Sequence, residues 1–264
     1  MLLLQHNHPL SLWLSITTNL KGQLGFSSAE TIMHNPFPPT SLADFTISDP
    51  ISKMHIESIV NGKLPFPMQK NCICLCGTYG TGKTTLAEIL PSLLEASGNL
   101  LPTTRLHNLF GSPNYWHVTS CGQGSNGTSI MQAIDGRQKT DVFLSPNGYF
   151  YEILDEVDLL TLSAQESLKS KISFAKSTIY ILTTNHRTKL DGGLVDRSFM
   201  IEMNQASAAD MAVMGCRFLR QMGLVGNELS DSHLMNLAAA SRGSIRDFAY
   251  SIAVEGLRHG GVLS

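Results

Sequence analysis

Short apolar runs alternate with amphipathic segments through the middle of the chain. NCICLCG is a run of small apolar and β-branched residues bounded by polar and glycine residues, which predicts a buried parallel strand. YWHVTS, YFYEILDE and STIYILTTN predict further strands, whereas KTTLAEILPSLLEASG, TSIMQAIDGRQ and LSAQESLKSKISFAK predict helices between them. Strands that alternate with helices indicate an α/β fold with a parallel sheet and flanking helices.

The pattern changes after RSFMIEM, which is itself strand-like. Three helical segments follow, ASAADMAVMGCRFLRQMG, SDSHLMNLAAASRG and SIRDFAYSIAVEGLRHGG, punctuated by glycine and capped by Ser or Asp. We therefore predict an α/β domain over residues 34–204 and a small C-terminal helical domain over residues 205–264. A further amphipathic helix is predicted from Ser52 to Val60.

Residues 1–33 resemble no later part of the chain. The segment HNPFPPTSLADFTISDP, which does contain a recognisable pattern, begins directly after Met33. Two interpretations stay open: a disordered or loosely docked extension, or translation that begins at Met33. The apolar run near the start has no Lys or Arg before it, so we expect no secretory signal. Because no run of about 18 apolar residues occurs, we also expect no membrane span.

Composition and charge narrow the class of protein. With 264 residues, 42% of them hydrophobic and 15% charged, the chain can form one sizeable core, or a core and a small second domain. A formal net charge of -2 provides no global basic field, so contact with nucleic acid would need a local patch or several copies. An odd number of cysteines, 5, argues against a disulfide scaffold and for a reducing, cytoplasmic location.

The stretch GTYGTGKT fits the phosphate-loop pattern G-x-x-x-x-G-K-[ST] and follows a predicted strand. Its glycines allow backbone N–H groups to approach phosphate oxygens, and Lys83 supplies a positive charge for the β and γ phosphates. Thr84 offers a hydroxyl to Mg²⁺. We therefore predict that ATP and Mg²⁺ are the cofactors. The predicted nucleotide-binding residues are Gly77, Thr78, Tyr79, Gly80, Thr81, Gly82, Lys83, Thr84 and Thr85.

Three cysteines, Cys72, Cys74 and Cys76, alternate along the strand that leads into this loop. The two-residue period of a strand places them on one face, with Ile73 and Leu75 on the other. The pattern favours packing as small hydrophobic residues. A metal or redox site is the alternative, but zinc would need more soft ligands at a matching spacing, and the chain has no CxxC pair.

Two predicted strands after the phosphate loop end in polar residues suited to triphosphate chemistry. Asp155 could hold the Mg²⁺ shell, and Glu156 could polarise the attacking water. Asn185, at the end of STIYILTTN, could orient that water. The alternative interpretations are a solvated acidic turn for the first pair and a helix cap or turn for Asn185.

Two arginines complete the set of predicted catalytic residues. Arg197 precedes a strand, and it is either a solvated surface residue or an arginine finger that reaches a neighbouring subunit's γ-phosphate. Arg246 begins a helix of the C-terminal region, where it could fold over the same phosphate. That arrangement would couple nucleotide state to the angle between the two predicted domains.

In this order the motifs resemble the AAA+ ATPases, most closely their sliding-clamp-loader subunits. GTYGTGKTT resembles the Walker A loop and ILDEVD the Walker B strand, while Asn185 and Arg246 stand at the sensor 1 and sensor 2 positions. FPPTSLADF is similar to the adenine-side segment, and LSAQESLKSKI to the helix after Walker B. The resemblance implies a P-loop NTPase sheet, a helical lid and hydrolysis of ATP at subunit interfaces. Because the sequence ends soon after the sensor 2 helix, we expect no C-terminal collar domain of the loader type.

The leading functional hypothesis is therefore an ATPase that works as a homo- or hetero-oligomer on DNA or a DNA-bound protein, in replication or a mobile element. Local support for DNA contact consists of basic residues that could follow phosphates, namely Arg137, Lys139, Lys169, Lys171 and Lys176. A solvated helix face is the alternative. A nucleotide-gated interaction module with little turnover, a protein remodeller and a P-loop kinase are the rival functions.

Overall fold

The computed structural model describes residues 36–67, 69–96, 116–122, 124–141, 149–175, 177–224 and 229–263, with backbone alone for 136–141. The chain separates into two compact units, Met1–Pro38 and Pro39–Ser264. Only residues 36–38 of the first unit are described, so the predicted extension over residues 1–33 lies outside the described residues.

A five-stranded parallel sheet forms the centre of the second unit. In chain order the strands are β1 (Cys72–Cys76), β2 (Trp116–Ser120), β3 (Phe150–Asp155), β4 (Thr178–Thr184) and β5 (Ser198–Glu202). Their spatial order is β2-β3-β4-β1-β5, and every neighbouring pair is parallel. Since β1 lies between β4 and β5, the loop after β1 has the carboxyl ends of both strands beside it. The predicted α/β fold with a parallel sheet is confirmed.

Eight α-helices occur among the described residues. They are α1 (Pro50–Val60), α2 (Lys83–Ala96), α3 (Ser129–Asp141), α4 (Leu162–Phe174), α5 (Gly192–Arg197), α6 (Ala208–Gln221), α7 (Asp231–Ala240) and α8 (Ile245–Arg258). The short helix α5 was not predicted, because its six residues carry too little periodicity to read from sequence. None of the helices in this described part of the chain is long and apolar enough to cross a membrane.

Strand β1, between β4 and β5, is buried on both faces, and each face joins a different apolar cluster. Ile73 and Leu75 pack in one cluster, whereas Cys72 and Cys74 pack in the other. This confirms the predicted two-residue alternation. Burial raises the pKa of the Cys72 thiol to about 12, so this side chain is a neutral thiol at physiological pH, in keeping with a packing role.

The C-terminal helices α6, α7 and α8 pack against one another. Each begins at a serine whose side chain accepts a hydrogen bond from a backbone N–H three residues on, as the capping pattern predicted: Ser207, Ser230 and Ser244. Gly215 lets α6 and α8 approach closely, since a Cβ there would lie 2.9 Å from Cζ of Phe248. The domain boundary after Asn204 stays a prediction.

Candidate functional site

The predicted phosphate loop runs from the end of β1 into α2, and its conformation depends on glycine. Gly77 has a φ of 147°, and a Cβ there would lie 2.2 Å from the carbonyl oxygen of Met203. Gly80 has a φ of 74°, and a Cβ there would lie 2.6 Å from Oγ of Ser244. Both contacts are too short for any side chain, so these positions require glycine. The loop precedes the N-terminus of α2, where backbone N–H groups and the helix dipole favour an anion.

Lys83, the first residue of α2, lies inside the loop with only 7% of its surface exposed. Its Nζ donates to the carbonyl oxygen of Thr78 and is 3.5 Å from Oγ1 of Thr81. Burial lowers the pKa of Lys83, and the nearby carboxylate of Asp155 opposes that shift. The ammonium group thus lies where phosphate oxygens would offer it a stronger partner than backbone carbonyls do.

Three side chains from three elements meet next to Lys83. Oγ1 of Thr84 and Oγ1 of Thr183 donate to the same oxygen, Oδ1 of Asp155, at 2.8 and 2.6 Å. The structure thus brings together the two predicted metal ligands, Thr84 and Asp155. Hydroxyl and carboxylate oxygens are the donors that Mg²⁺ prefers, so this pair fits the ion. Thr183 was not predicted to take part, although its place at the end of β4, beside β3, was a signal for it.

The predicted water-activating residue, Glu156, adopts a left-handed conformation with φ of 59° and ψ of 50°. This conformation costs a non-glycine residue on the order of 1 kcal/mol, and such strain is concentrated at functional sites. The Glu156 N–H donates to Oγ1 of Thr183 at 3.0 Å. Nδ2 of Asn185 lies 3.5 Å from Oε1 of Glu156, so the two predicted residues are adjacent.

A further acid, Asp158, accepts hydrogen bonds from the end of β4, where Asn185 lies next to Glu156. Its Oδ1 accepts from Oγ1 of Thr184 at 2.8 Å and from the backbone N–H of Asn185 at 3.2 Å. Asp158 is 9% exposed, and these two hydrogen bonds satisfy its carboxylate inside the protein. Sequence reasoning did not single it out, though its position three residues after Asp155 in ILDEVD was visible. Asp158 orients the end of β4 and so the amide of Asn185.

The exposed rim of the site carries an aromatic pair. Tyr79, in the phosphate loop, places its Oη 3.2 Å from Nε2 of His186, which follows Asn185. The two rings meet edge to face with centroids 6.1 Å apart. The tautomer of His186 decides which group donates. This pair connects the phosphate loop to the end of β4, and His186 was not predicted.

Helix α8 begins directly at the phosphate loop. The backbone N–H groups of Ile245 and Arg246 donate to the carbonyl oxygen of Gly80 at 2.9 and 3.3 Å. The structure therefore places Arg246 beside the loop, with an exposed side chain. Its predicted role in contacting the γ-phosphate stays a prediction.

Arg197 lies at the amino ends of the strands, opposite the end of the sheet that carries the phosphate loop. Its Nε donates to Oγ of Ser173 at 2.7 Å and its Nη1 to the carbonyl oxygen of Gly193 at 3.0 Å. It borders a cleft of about 550 Å³ that also includes Asn71 and Tyr149, the residues just before β1 and β3. The structure thus does not bring Arg197 together with the other predicted catalytic residues of the same chain.

The predicted basic face of α4 is partly neutralised. Lys169 forms an ion pair with Asp191 at 3.1 Å, and Lys171 forms one with Asp135. Lys176 and the side chains of Arg137 and Lys139 lie outside the described residues. Two of the five predicted cations are therefore already paired with acids.

The parallel sheet, the glycine-dependent loop before α2 and the acid at the end of β3 define the fold of a P-loop nucleoside triphosphatase. Among solved structures, the chain is similar to the Holliday junction branch migration motor RuvB of Thermotoga maritima, with a TM-score of 0.60 and 22% identity over 82% of this chain. Two point variants of RuvB align with TM-scores of 0.60 and 0.58 at 21% and 22% identity, again over 82% of this chain.

At this level of identity the similarity shows the fold. The chain spans 64% of the length of these RuvB chains. No protein-family model matches the sequence, and no curated protein matches it. The predicted fold, a P-loop NTPase sheet with flanking helices and C-terminal helices, is confirmed.

Proposed function

We propose that this protein is an AAA+ ATPase that binds ATP and Mg²⁺ and hydrolyses the γ-phosphate bond. The observation that carries the proposal is the convergence of Thr84, Asp155 and Thr183 beside Lys83. Four polar groups from three elements at the end of a phosphate loop would be costly to place together without a ligand that uses them. A solvated acidic turn, the alternative, would not need a buried threonine, Thr183, and a half-buried one, Thr84, that both donate to one carboxylate oxygen.

Each residue has a distinct role in the proposed reaction. The loop N–H groups and Lys83 hold the β and γ phosphates, while Thr84 and Asp155 hold Mg²⁺, which would neutralise charge on the phosphate oxygens. Glu156 accepts a proton from the attacking water, and Asn185 orients that water. The contact between Asn185 Nδ2 and Glu156 Oε1 supports placing both next to the same water molecule.

Arg197 acts in a neighbouring subunit under this proposal. It directly precedes β5, whose first residue pairs with Cys72, whereas the phosphate loop begins after Cys76 at the opposite end of β1. A five-residue strand is about 16 Å long, so this arginine lies too far from its own chain's phosphates. A ring or stack of subunits would place it against the next subunit's γ-phosphate. The protein is therefore proposed to work as an oligomer.

DNA, or a protein bound to DNA, is the proposed target. The similarity to RuvB, which is described as a Holliday junction branch migration motor, supports a target of this class, as does the resemblance to clamp-loader subunits. Because Lys169 and Lys171 are paired with acids, a DNA contact through α4 would first have to break those ion pairs. We therefore favour contact through surfaces created by oligomerisation.

The test is the steady-state ATPase rate per subunit as protein concentration rises. It is measured without DNA, with primer-template DNA and with a four-way junction. We expect the rate to rise with concentration and to rise further with one of the two DNAs. Lys83→Ala should remove turnover, and Lys63→Ala, an exposed lysine before β1, is the matched control. Binding of ATP without any turnover would favour the nucleotide-gated interaction module instead.

A further inference from the structure

Hydrogen bonds from its own side chains hold a short turn before α1. Ser41 precedes a 3-10 turn, Leu42–Asp44, and Oδ2 of Asp44 accepts hydrogen bonds from the N–H groups of Thr40 and Ser41 at 2.9 Å each. Oγ of Ser41 also donates to this oxygen, at 3.0 Å. We call residues 40–45 the capped turn. Oδ2 of Asp44 accepts these hydrogen bonds within the turn, and Oδ1 of Asp44 contacts a partner outside it.

That partner is Arg217, which lies in the middle of α6, more than 170 residues later. Its Nη1 lies 2.9 Å from Oδ1 of Asp44 and donates to the carbonyl oxygen of Ala43 at 3.0 Å. Its Nη2 donates to the carbonyl oxygen of Asp44 at 3.0 Å. One guanidinium group thus binds a carboxylate and two backbone carbonyls of the capped turn. This fork geometry is available to arginine but not to lysine.

The electrostatics of Asp44 agree with this arrangement. Burial raises the pKa of the Asp44 carboxyl, but the hydrogen bonds from Thr40 and Ser41 and the charge of Arg217 outweigh burial and leave the pKa below its ordinary value. Asp44 is therefore ionised whenever the protein is folded near neutral pH, and the clamp is charge-assisted.

The other side of the capped turn lies against the phosphate loop. A Cβ at Gly82 would lie 3.6 Å from Cδ1 and Cε1 of Phe45, so the Phe45 ring lies next to the residue that precedes Lys83. Helix α8 contacts the same loop at Gly80 through its first N–H groups. The C-terminal helices therefore reach the phosphate loop by two routes, directly through α8 and indirectly from Arg217 through the capped turn.

A nucleoside triphosphate bound to this loop has a phosphate end, which contacts the metal and the water, and a nucleoside end, which contacts other groups. The carboxyl ends of β3 and β4 provide Asp155, Glu156 and Asn185 for the metal and water end. The nucleoside end must then extend toward other elements that border the loop, which include the capped turn, the start of α8 and the segment at Met203. Residues 40–45 thus form a wall beside the loop, and Arg217 contacts this wall from α6.

We infer that Arg217 is a positioning residue for the nucleoside end of the bound nucleotide, acting by clamping the capped turn to α6. The inference rests on the proposed function, because it assigns Arg217 to the same nucleotide site. Arg217 does not itself touch the ligand. Arg217 holds the capped turn in place before the nucleotide binds. Loss of Arg217 should therefore weaken the contacts of the base and ribose and leave those of the phosphates unchanged.

Comparing two ligands separates this role from a general loss of structure. The dissociation constants of ATP and of inorganic tripolyphosphate, which has no nucleoside, are measured by calorimetry for Arg217→Gln. We expect the constant for ATP to rise about tenfold, the effect of losing one well-formed charged contact network. The constant for tripolyphosphate should stay within about twofold. Arg220→Gln, an exposed arginine one turn further along α6, is the matched control and should change neither.

Arg217→Lys keeps the charge but loses the fork, so it should recover only part of the affinity for ATP. It also serves as the test variant if Arg217→Gln does not fold, as judged by circular dichroism. Equal weakening of ATP and tripolyphosphate, or no weakening of either, would overturn the inference while leaving the proposed function intact. Failure of the unmodified protein to bind both ligands would instead overturn the proposed function and the inference with it.

Discussion

The two edges of the sheet are built differently. At the carboxyl edge, side chains converge within one subunit: Thr84, Asp155 and Thr183 share a single oxygen, with Glu156 and Asn185 alongside. At the amino edge, Arg197 borders a cleft, and within the described part of the chain its side chain donates to Ser173 and to the carbonyl oxygen of Gly193. A converged site can bind its ligand alone, whereas a lone arginine at an open cleft needs an outside group. This difference agrees with the proposed reaction, which one chain prepares and a second chain completes.

The largest effect should come from Lys83→Ala at the carboxyl edge, which should remove both ATP binding and turnover. Lys83 is buried in the loop and has only neutral oxygens of Thr78 and Thr81 as hydrogen-bond partners in the described structure, so its charge is available to phosphate. We expect loss of detectable ATP binding, an affinity reduced on the order of 100-fold or more. Calorimetry measures it, with Lys63→Ala as the control. Retained micromolar binding would show that the loop does not hold phosphates as we propose.

Removing Arg197 tests the amino edge. Arg197→Ala should lower the rate of hydrolysis about 1,000-fold, the lower end of the range for arginine fingers, with ATP affinity nearly unchanged. Mixing this variant with Lys83→Ala should restore activity, because one subunit brings the arginine and the other an intact loop. Absence of restoration in mixtures that still assemble would place Arg197 outside the neighbour's site.

Glu156→Gln should separate binding from chemistry at the carboxyl edge. The amide keeps the size and neutral hydrogen bonds of Glu156 but cannot accept a proton from water, so the rate should fall on the order of 100-fold or more. ATP binding should persist, and the ATP-bound assembly should accumulate. Single-turnover hydrolysis measures the rate. Hydrolysis at the unmodified rate would rule out Glu156 as the proton acceptor.

A smaller effect is expected for Ser173→Ala at the amino edge. Oγ of Ser173 is the acceptor for Nε of Arg197, so its loss should let the guanidinium group move while leaving its charge in place. We expect a decrease of about threefold to tenfold in hydrolysis at saturating ATP. Ser232→Ala, in α7 far along the chain, is the control. An unchanged rate would mean that the neighbouring subunit orients the arginine without help from Ser173.

The smallest effect concerns β1, the strand that joins the two edges. Burial raises the pKa of Cys72 from 9.0 to about 12, so above pH 9 the unfolded chain loses a proton that the folded chain retains. The free energy of unfolding should therefore fall as pH rises from 9 to 12, by up to about 1.4 kcal/mol per pH unit from this thiol. Urea unfolding at pH 8 and pH 10 measures it. Cys72→Ala should show a shallower decline, and a decline of equal slope would contradict the assignment.

Much of the fold could be predicted from the sequence because its signals are local. The alternation in CICLC predicted both faces of β1, and three capping serines predicted where α6, α7 and α8 begin. Short elements were harder, and α5 was missed because six residues make too few contacts of their own to set a pattern.

The candidate site could be predicted in part. Thr84 and Asp155 could be paired in advance because a phosphate loop and a strand-end acid have a known chemical relation. Thr183, Asp158 and His186 could not, because a threonine, an acid and a histidine near strand ends have many uses. Only the hydrogen bonds of the folded chain show which of them point to the site.

The sequence by itself determined the order of strands and helices, the glycine positions of the loop and the residue types suited to ATP and Mg²⁺, since each depends on neighbours a few residues apart. Only the tertiary structure decided that Arg197 and the phosphate loop lie at opposite edges, and that Arg217 clamps Asp44. Those relations join residues more than 100 positions apart. They depend on strand order and helix packing, which arise from the burial of the whole core rather than from any local pattern.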